Sequence, residues 1–381
     1  MATVPQDEAL ARGLKNVYLD TTETSFIDGE EGKLLYHGYN IHDLAERSTF
    51  EEVCFLLWHG RLPTRSELAD LDSLLKANRA VPPEVIEVVR LVKDAHPLDA
   101  LRTGASALSA FDPDVNDEST EAQLRKAIRL TSQLPTICAA HYRITQGQKP
   151  VAPSQSMSHA ANFLYMLFGK EPDEDARKAI DVDFVLHAEH GANASAFSAR
   201  VTASTAADFH SDIVAAIATL KGPAHGGAAE EVMKMLEEIG SPDNVDEYIR
   251  SRLARGERIM GMGHRVYRVE DPRARHMKER LLVLGQKMGH AEWYQILERI
   301  VEVTAPLRAK GISLNVDFYA GAVYYVLGIP EELFISLFAL GRMPGWAANI
   351  FEQWKNNMLI RPLMKYNGPM DLEYVPIEQR G

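Results

Sequence analysis

Apolar residues recur at helical spacing along most of this chain. Between Ser48 and Gly60 they return every three or four positions, which places them on one face of a helix. Ser48 and Glu51 have the spacing of a capping box and predict where this helix begins, while Gly60 predicts where it ends. Thr64 and Glu67 repeat the capping-box spacing before a second apolar stripe. The pattern therefore predicts two successive helices.

The same period continues through the rest of the sequence. Pro83 opens a third segment of this kind, because proline suits the first position of a helix. Further helical patterns cover residues 120–145, 157–168, 174–190, 211–221, 228–239, 244–255, 274–288, 291–309, 319–327, 331–341 and 343–357. By contrast, residues 25–39 hold two short apolar pieces around Asp28–Gly29 and Gly32, which is the pattern of a small hairpin or loop and the best β signal in the chain.

Longer β-structure is not indicated. No run alternates between apolar and polar residues for long enough to build a sheet, and no strand–helix–strand succession appears. We therefore predict an all-α fold of many helices, without the fixed repeat of a solenoid. The length of 381 residues favours two domains. Since no low-complexity linker divides the chain, the smaller domain is expected to be inserted into the larger one.

The acidic composition limits the classes of partner. A net charge of −12 argues against a nucleic-acid-binding protein, which needs a basic face, but it permits anionic small substrates held by a few placed arginines. The two cysteines, Cys54 and Cys138, lie in apolar runs and are expected to be buried. No apolar signal core opens the sequence, and no run is long enough to span a membrane. We expect a soluble cytoplasmic protein that contacts neither nucleic acid nor membrane.

His225 stands between Gly222–Pro223 and Gly226–Gly227, just before a predicted helix. A histidine by itself is more often a structural polar residue than a ligand-binding one. Here the glycines allow the backbone to approach another molecule closely, and the helix dipole disfavours the imidazolium form. A neutral imidazole at this place could donate a hydrogen bond to an oxygen that becomes an enolate or oxyanion.

Residues 258–275 combine glycines, a histidine and five arginines. Gly261 and Gly263 precede His264 and could expose backbone N–H groups to a ligand, but no predicted strand precedes them, so a dinucleotide-binding fold is rejected. Arg273 stands at a predicted helix start, where its guanidinium group could present a two-pronged donor to a carboxylate. A solvated basic face is the interpretation we favour for three other arginines, Arg265, Arg268 and Arg275.

Charged residues within apolar stretches are further candidates. Asp317 lies between Val316 and Phe318 and is either a helix N-cap or an acid/base group whose pKa partial burial would raise. Arg342 and Arg361 each stand beside apolar residues. Each is either a member of a structural ion pair or part of a carboxylate clamp.

His187 and His190 are three positions apart in the predicted helix 174–190, so they would share one face of it. This spacing could suggest a pair of metal ligands. However, the sequence has no H-E-x-x-H motif and no nearby cysteine or third ligand to complete a zinc set. We therefore predict no metal site, and expect hydrogen bonding to a substrate or capping of a helix end near Gly191 and Asn193.

At these residues the chain resembles the citrate synthase family. The blocks “HPLDALRTGASAL”, “HAEHGANAS”, “LKGPAHGGAAEEV”, “GMGHRVYRVEDPRA”, “NVDFYAG”, “GWAANIFEQ” and “IRPLMKYNGP” follow in the family's order and approximate spacing. The chain resembles the shorter bacterial and archaeal form. The resemblance implies an all-helical homodimer with a large domain, residues 1–223 and 327–381. It also implies a small helical domain, residues 224–326, that closes over the active site.

The resemblance implies three catalytic residues, His225, His264 and Asp317. Asp317 would remove a proton from the methyl carbon of an acyl-CoA thioester, while His225 hydrogen-bonds the thioester oxygen. His264 would polarise the ketone of oxaloacetate for attack by the new carbon nucleophile. The product would be a citryl thioester, which water cleaves to citrate and free coenzyme A.

The resemblance also implies the binding residues. For the carboxylates of oxaloacetate they are His190, Asn193, Arg273, Arg342 and, from the other subunit, Arg361. For coenzyme A they are Ile259, Met260, Gly261, Met262 and Gly263, with Arg258 and Lys310 as phosphate contacts. No cofactor and no metal are implied, because oxaloacetate and acyl-CoA are both substrates.

The sequence leaves several functions open. The leading prediction is a citrate synthase that uses acetyl-CoA, and a 2-methylcitrate synthase that uses propionyl-CoA would share all three catalytic residues. One enzyme could accept both, because a methylene group is worth only ~1–3 kcal/mol of discrimination. A non-catalytic acyl-CoA-binding or scaffold relative would lack one of these residues, and a metal-binding helical protein would need a third ligand. Leu363 departs from the family, which often has a basic residue there.

Overall fold

The structure, a computed structural model, describes residues 10–14 and 17–381. Within these ranges, helices dominate and one small three-stranded sheet is present, which confirms the predicted all-α fold. The α-helices are α1 (Ile41–Arg47), α2 (Phe50–His59), α3 (Arg65–Ala77), α4 (Pro83–Leu91), α5 (Pro97–Leu108), α6 (Thr120–Thr145), α7 (His159–Phe168), α8 (Glu174–His187), α9 (Ala194–Ala203), α10 (Phe209–Leu220), α11 (Ala228–Ile239), α12 (Val245–Ala254), α13 (Ala274–Met288), α14 (Ala291–Val303), α15 (Ala305–Arg308), α16 (Asp317–Val326) and α17 (Phe334–Lys355).

The antiparallel sheet consists of β1 (Ser25–Asp28), β2 (Lys33–Tyr36) and β3 (Tyr39–Asn40) in that order. It confirms the hairpin predicted for residues 25–39. The β1–β2 turn supports a distant segment, because the N–H of Arg268 donates to the carbonyl of Gly29 at 2.8 Å. A side chain at Gly29 would collide with the backbone of Val266, so this approach requires glycine.

Both predicted capping boxes are present, but one of them is displaced by one residue. Thr64 and Glu67 form the capping box of α3, as predicted. The box of α2, however, is formed by Thr49 and Glu52, so the prediction of Ser48 and Glu51 is wrong by one residue. The hydroxyl of Ser48 instead donates to the carbonyl of Leu44 at 2.6 Å, at the end of α1. The local pattern allowed both registers, and tertiary contacts chose between them.

Three predicted helix boundaries are also wrong. The segments 331–341 and 343–357 are joined in the single helix α17, which is preceded by a 3-10 turn at Glu331–Leu333 and has Pro344 in its interior. The segment 291–309 is split at Thr304, two residues before Pro306, into α14 and α15. The segment 174–190 ends at His187. Helices α1, α5 and α9 lie outside the segments for which a helix was predicted.

Two central helices organise the packing. Helix α17 packs against α2, α6, α8, α9 and α10, while α16 packs against α11, α13 and α14. Helix α13 also contacts α8, and α11 also contacts α17, so the two groups of helices are in contact with each other. The division into domains of residues 1–223 with 327–381 and 224–326 stays a prediction. Among the described residues, no helix is both long and apolar enough to cross a membrane.

Candidate active site

His225 lies in a turn between α10 and α11, as the glycines around it predicted. Its N–H and that of Gly226 both donate to the carbonyl of Gly222, at 2.8 and 3.1 Å. A Cβ at Gly226 would lie 2.6 Å from Ile335 Cδ1, so only glycine fits there. The backbone N–H of Ser195 donates to His225 Nε2 at 3.3 Å. Nε2 is therefore the accepting nitrogen, and Nδ1 carries the hydrogen.

Burial keeps the His225 imidazole neutral. It lowers the pKa of His225 to about 4, and the charge of Arg342 acts in the same direction. The hydroxyl of Ser195 lies 2.9 Å from His225 Nε2, accepts the indole N–H of Trp346 at 3.0 Å, and lies 2.8 Å from Asn193 Oδ1. The imidazole is thus held by a serine whose own position is fixed by two further side chains.

His264 has the opposite tautomer to His225. Its Nδ1 accepts the backbone N–H groups of Val266 and Tyr267, at 3.0 and 3.1 Å. The hydrogen therefore lies on Nε2, which remains available as a donor. The pKa of His264 is lowered to about 4, mainly by burial and in the same direction by the charge of Arg273. This neutral ring can donate one hydrogen bond to a carbonyl oxygen.

His190 lies next to His264, with ring centroids 5.3 Å apart in an edge-to-face arrangement. Its Nε2 lies 3.2 Å from the hydroxyl of Tyr267. Burial holds its pKa well below the usual value, and Arg273 acts in the same direction. The expectation that His187 and His190 share a helical face is wrong, because α8 ends at His187. His190 lies on the following loop, beside the left-handed Gly191.

Arg273 is buried and held by Asp271. Oδ1 of Asp271 accepts the backbone N–H and the Nε–H of Arg273 at 3.0 and 2.9 Å, and Oδ2 accepts Nη2–H at 2.7 Å. Burial alone would lower the pKa of Arg273, but the Asp271 carboxylate raises it above its usual value. The guanidinium group is therefore charged and rigid, and it can direct Nη1 at an anion.

Arg342 is a second buried cation, 1% exposed, on α17. Its Nε donates to the carbonyl of His187, and its guanidinium carbon lies 4.8 Å from the ring centroid of Phe338. Burial lowers the pKa of Arg342 to about 10, which still leaves it charged at neutral pH, and Glu189 opposes the effect of burial. Because Nε is used on the protein, a carboxylate would be bound by the terminal nitrogens of Arg342.

Asp317 is the first residue of α16 rather than its N-cap. The side chain of Asn315 accepts the N–H of Asp317 at 3.1 Å and so takes the capping role that the sequence left open for Asp317. Burial raises the pKa of Asp317, and the charges of His187 and Arg273 oppose this effect. Asp317 is half-buried, and its carboxyl oxygens are not used for capping, so the group is suited to accept a proton.

The same charges act on several of these groups. The charge of Arg273 lowers the pKa of both His264 and Asp317. The charge of Arg342 lowers the pKa of His225, and the charge of Asp317 in turn raises the pKa of Arg342. We call these five side chains, which were predicted from separate segments, the active-site cluster.

The segment predicted to bind coenzyme A runs beside this cluster. Gly261 and Gly263 have φ values of 74° and 85°, and a Cβ at Gly261 would lie 2.7 Å from Phe318 Cδ2. Asn315 braces the segment, since its N–H donates to the carbonyl of Gly261 at 3.0 Å and its side-chain amide to that of Gly263 at 3.1 Å. The N–H of Gly263 donates to Ser313, so the expectation that it is exposed is wrong.

The remaining predicted contacts stay predictions. Ile259 is buried, Met260 and Met262 are half-buried, and Arg258 and Lys310 are exposed. Among the residues predicted to bind oxaloacetate, Asn193 caps α9, because its side chain accepts the N–H of Ala196 at 3.2 Å. Arg361 is exposed in the segment after α17, outside the cluster that this chain builds.

Several residues of the cluster were missed by sequence reasoning. They are Ser195 and Trp346, which hold His225, together with Asp271, Asn315 and Tyr267. Asp271 could have been found, because it precedes Arg273 by two positions. The others act through contacts between distant parts of the chain. Within residues 10–14 and 17–381, no group of three or more His, Cys, Asp or Glu side chains is placed to hold a metal ion.

The chain is similar to known proteins along nearly its whole length. The sequence profile described as “Citrate synthase, C-terminal domain” matches residues 13–363. A protein named citrate synthase from Haloferax volcanii is 44% identical over 97% of this chain and 99% of its own length. A 2-methylcitrate synthase from Mycobacterium tuberculosis is 42% identical over 96% of this chain and 92% of its own length.

A solved structure gives the same result for the fold. Citrate synthase from the thermophilic archaeon Thermoplasma acidophilum, in a ternary complex with carboxymethyl coenzyme A and oxaloacetate, superposes with a TM-score of 0.92. It is 31% identical, and the match covers 98% of this chain and 100% of that one. The chain belongs to the citrate synthase family, whose members are enzymes that transfer an acyl group and convert it into an alkyl group.

Proposed function

We propose that this protein condenses acetyl-CoA with oxaloacetate and hydrolyses the resulting citryl thioester to citrate and coenzyme A. The observation that carries the proposal is the combination of two neutral imidazoles, those of His225 and His264, with the half-buried carboxyl group of Asp317. Backbone donors fix which nitrogen of each ring carries the hydrogen. Burial holds the pKa of each imidazole near 4, so neither ring is charged at neutral pH.

The proposed reaction begins with proton removal. The Asp317 carboxylate takes a proton from the methyl carbon of the thioester, and the Nδ1–H of His225 donates a hydrogen bond to the thioester oxygen as the enolate or enol forms. A neutral imidazole suits this step. It does not ionise at neutral pH, so it keeps its N–H and can stabilise the negative charge that develops on the thioester oxygen. Proton transfer by a positioned side chain typically contributes about 10²–10⁴-fold.

Condensation and hydrolysis follow. The enolate carbon attacks the ketone carbon of oxaloacetate while the Nε2–H of His264 donates to the ketone oxygen, which becomes the hydroxyl of the citryl thioester. Arg273 and Arg342 would hold the carboxylates of oxaloacetate, with His190 beside them and Asn193 in support. Water then cleaves the thioester to citrate and coenzyme A. No cofactor takes part, because acyl-CoA is consumed as a substrate.

A 2-methylcitrate synthase is the second candidate, since the relative from Mycobacterium tuberculosis has that name. Both reactions use the same three residues, and discrimination between an acetyl and a propionyl group is worth only ~1–3 kcal/mol. An enzyme of dual specificity is therefore a third outcome. The preference between acetyl-CoA and propionyl-CoA depends on the space that the site leaves beside the reacting carbon of the acyl group.

The test is steady-state release of free coenzyme A with oxaloacetate and either acetyl-CoA or propionyl-CoA. A higher kcat/KM for acetyl-CoA identifies a citrate synthase, and a higher value for propionyl-CoA identifies a 2-methylcitrate synthase.

Asp317→Asn should lower kcat by about 10³-fold or more, within the range expected for a lost general base, while oxaloacetate binding measured by calorimetry persists. Near-normal turnover of this variant would remove Asp317 as the base, and a folded wild-type protein without release would refute the function.

We also propose that the active enzyme is a homodimer in the cytoplasm. After α17, ten large apolar side chains are exposed: Met358, Leu359, Leu363, Met364, Tyr366, Met370, Leu372, Tyr374, Val375 and Ile377. A run of this kind on one chain favours contact with a second copy. Arg361 lies within it and would reach the partner's oxaloacetate. The free buried thiols of Cys54 and Cys138 suit a reducing compartment.

A further inference from the structure

Two histidines that the proposed reaction does not use meet where the first turns of α1 and α13 approach each other. Nδ1 of His42 lies 2.9 Å from Nε2 of His276, and the ring centroids are 5.1 Å apart. His276 is 3% exposed and His42 is half-buried. At this distance one of the two nitrogens carries a hydrogen and the other accepts it, so the rings form a hydrogen bond between the two helices.

Both rings are in surroundings that favour the neutral form. Burial lowers the pKa of His276 to about 4 and also lowers the pKa of His42, and the charge of Arg275 acts in the same direction on both. Each histidine also lies in the first turn of its helix, where the helix dipole disfavours a positive charge. Two neutral imidazoles can share one hydrogen, so the contact is attractive at neutral pH.

On the α13 side, the pair is joined to Arg273 by backbone contacts. Arg273 stands directly before α13, and its carbonyl accepts the N–H of His276 at 3.2 Å. Asp271, which binds the guanidinium group of Arg273 through both carboxyl oxygens, donates its own N–H to the carbonyl of Leu314 at 2.9 Å. A displacement of the first turn of α13 would therefore move Arg273 as well.

On the α1 side, the pair is joined to the other residues predicted to bind oxaloacetate. Helix α1 packs against α8. His190 lies on the loop that follows α8, and Arg342 donates to the carbonyl of the last residue of α8. His42 is thus attached to the helices that place His190 and Arg342, whereas His276 is attached to Arg273. The hydrogen bond between the two rings connects these two groups.

We propose that His42 is a positioning residue, which acts through its hydrogen bond to His276 to set Arg273 at the place where it binds oxaloacetate. This inference rests on the proposed function, in which Arg273 and Arg342 hold the carboxylates of that substrate. His42 itself needs no contact with substrate. Without the hydrogen bond, α13 occupies its binding-competent position in a smaller fraction of the molecules, and the apparent affinity for oxaloacetate falls in proportion to that fraction.

Two ion pairs also join α13 to these helices, but both are exposed. Arg275 pairs with Glu46 of α1 at 3.1 Å. At the other end of α13, Lys287 pairs with Asp175 at 2.6 Å and with Asp173 at 3.3 Å, at the beginning of α8. Exposed ion pairs contribute little, because water and salt screen them. The histidine pair is therefore the contact that we expect to fix the first turn of α13.

The experiment compares His42→Leu with His42→Asn. The two new side chains have nearly the same shape, but only asparagine places a hydrogen-bonding amide where Nδ1 of His42 now lies. We expect His42→Leu to raise KM for oxaloacetate about 5–20-fold, because the ring of His276 loses its partner. The value of kcat should fall less than about threefold, since His225, His264 and Asp317 are unchanged. His42→Asn should keep KM within about twofold of the wild type.

A double-mutant cycle and a control separate this role from a general structural one. If His42 and His276 act through their mutual hydrogen bond, adding His42→Leu to His276→Leu should raise KM for oxaloacetate no further. Lys287→Gln is the control, because it removes an exposed contact at the far end of the same helix. It should leave KM for oxaloacetate unchanged.

The outcomes distinguish the inference from the proposed function. If the wild-type enzyme releases coenzyme A but His42→Leu leaves KM for oxaloacetate unchanged, or His42→Asn raises it equally, the positioning role is refuted while the function stands. Effects that multiply in the double variant, or an equal rise of KM in Lys287→Gln, refute it as well. If the folded wild-type enzyme releases no coenzyme A with either thioester, the function and the inference fall together. Should His276→Leu not fold, the comparison of the two His42 variants decides.

Discussion

At the scale of single residues, protonation state is set by burial rather than by residue type. Burial lowers the pKa of His225 and His264 to about 4, and that of His159 to about 3. The rings of Phe50 and Phe184 surround His159, with centroids 4.9 and 6.0 Å away. Folding therefore transfers these histidines from water, where they ionise near pH 6.5, to places where they stay neutral.

A pH dependence of stability follows from this shift. Because the pKa of each of these histidines is lower in the folded state, the unfolded state binds more protons below about pH 6.5, and the free energy of unfolding falls as the pH drops towards 4. Each group contributes up to about 1.4 kcal/mol per pH unit in this window. Urea denaturation at pH 7 and pH 5 measures the loss.

The matched variant for this measurement is His159→Leu. It keeps an apolar side chain between the two aromatic rings and removes one titrating group, so its loss of stability between pH 7 and pH 5 should be smaller than that of the wild type. An equal loss would show that His159 does not remain neutral in the folded protein.

At the scale of helices, the residues of the candidate active site lie at helix ends and where one helix approaches another closely. Asp317 begins α16, Arg273 precedes α13, and His187 ends α8. Helix α17 reaches the end of α8 through Gly345, where a Cβ would overlap the carbonyl of Ala188. That contact sets the distance at which Arg342, one turn earlier on α17, meets the carbonyl of His187.

Gly345→Ala should therefore destabilise the protein and weaken oxaloacetate binding. The added methyl group would lie 2.5 Å from Glu189 Oε2 and would overlap backbone that cannot move aside. Overpacking of this kind costs about 1–3 kcal/mol, occasionally more. Chemical denaturation and KM for oxaloacetate measure the two effects. In the control Gly222→Ala, the new methyl group meets its nearest atom, the Thr219 carbonyl oxygen, at 3.5 Å, so stability should change little.

At the scale of the whole molecule, one chain builds an incomplete set of the predicted carboxylate-binding residues. Arg273 and Arg342 are buried in the cluster, whereas Arg361 is exposed on the apolar segment that follows α17. A second copy related by twofold symmetry would cover that segment and receive Arg361 in its own site. Each dimer would then contain two sites, each built from both chains.

Complementation between inactive variants tests this arrangement. Arg361→Ala and Asp317→Asn should each be strongly impaired alone. Coexpressed in equal amounts, they should form mixed dimers in half of the cases, with one intact site of two, so about a quarter of the wild-type activity returns. If each site used its own chain's Arg361, mixed dimers would contain no intact site and no activity would return. Sedimentation should give twice the chain mass of 42.5 kDa.

Much of the fold could be predicted because its signals are local. The capping box of Thr64 and Glu67 and the helix start at Pro83 depend on neighbouring residues. The errors arose where local signals were ambiguous. Ser48 and Thr49 could both begin α2, and the apolar pattern was divided into segments 331–341 and 343–357 although α17 continues through Arg342 and Pro344.

The sequence by itself determined the helical class and the order of the elements. It also determined which residues could carry the chemistry, since periodicity, glycines and motif order are properties of the chain. Only the tertiary structure decided that His225 accepts through Nε2 and His264 through Nδ1, and that Asp271 holds Arg273. Hydrogen-bond partners and desolvation depend on segments that are distant in the chain, and so they arise only when those segments pack together.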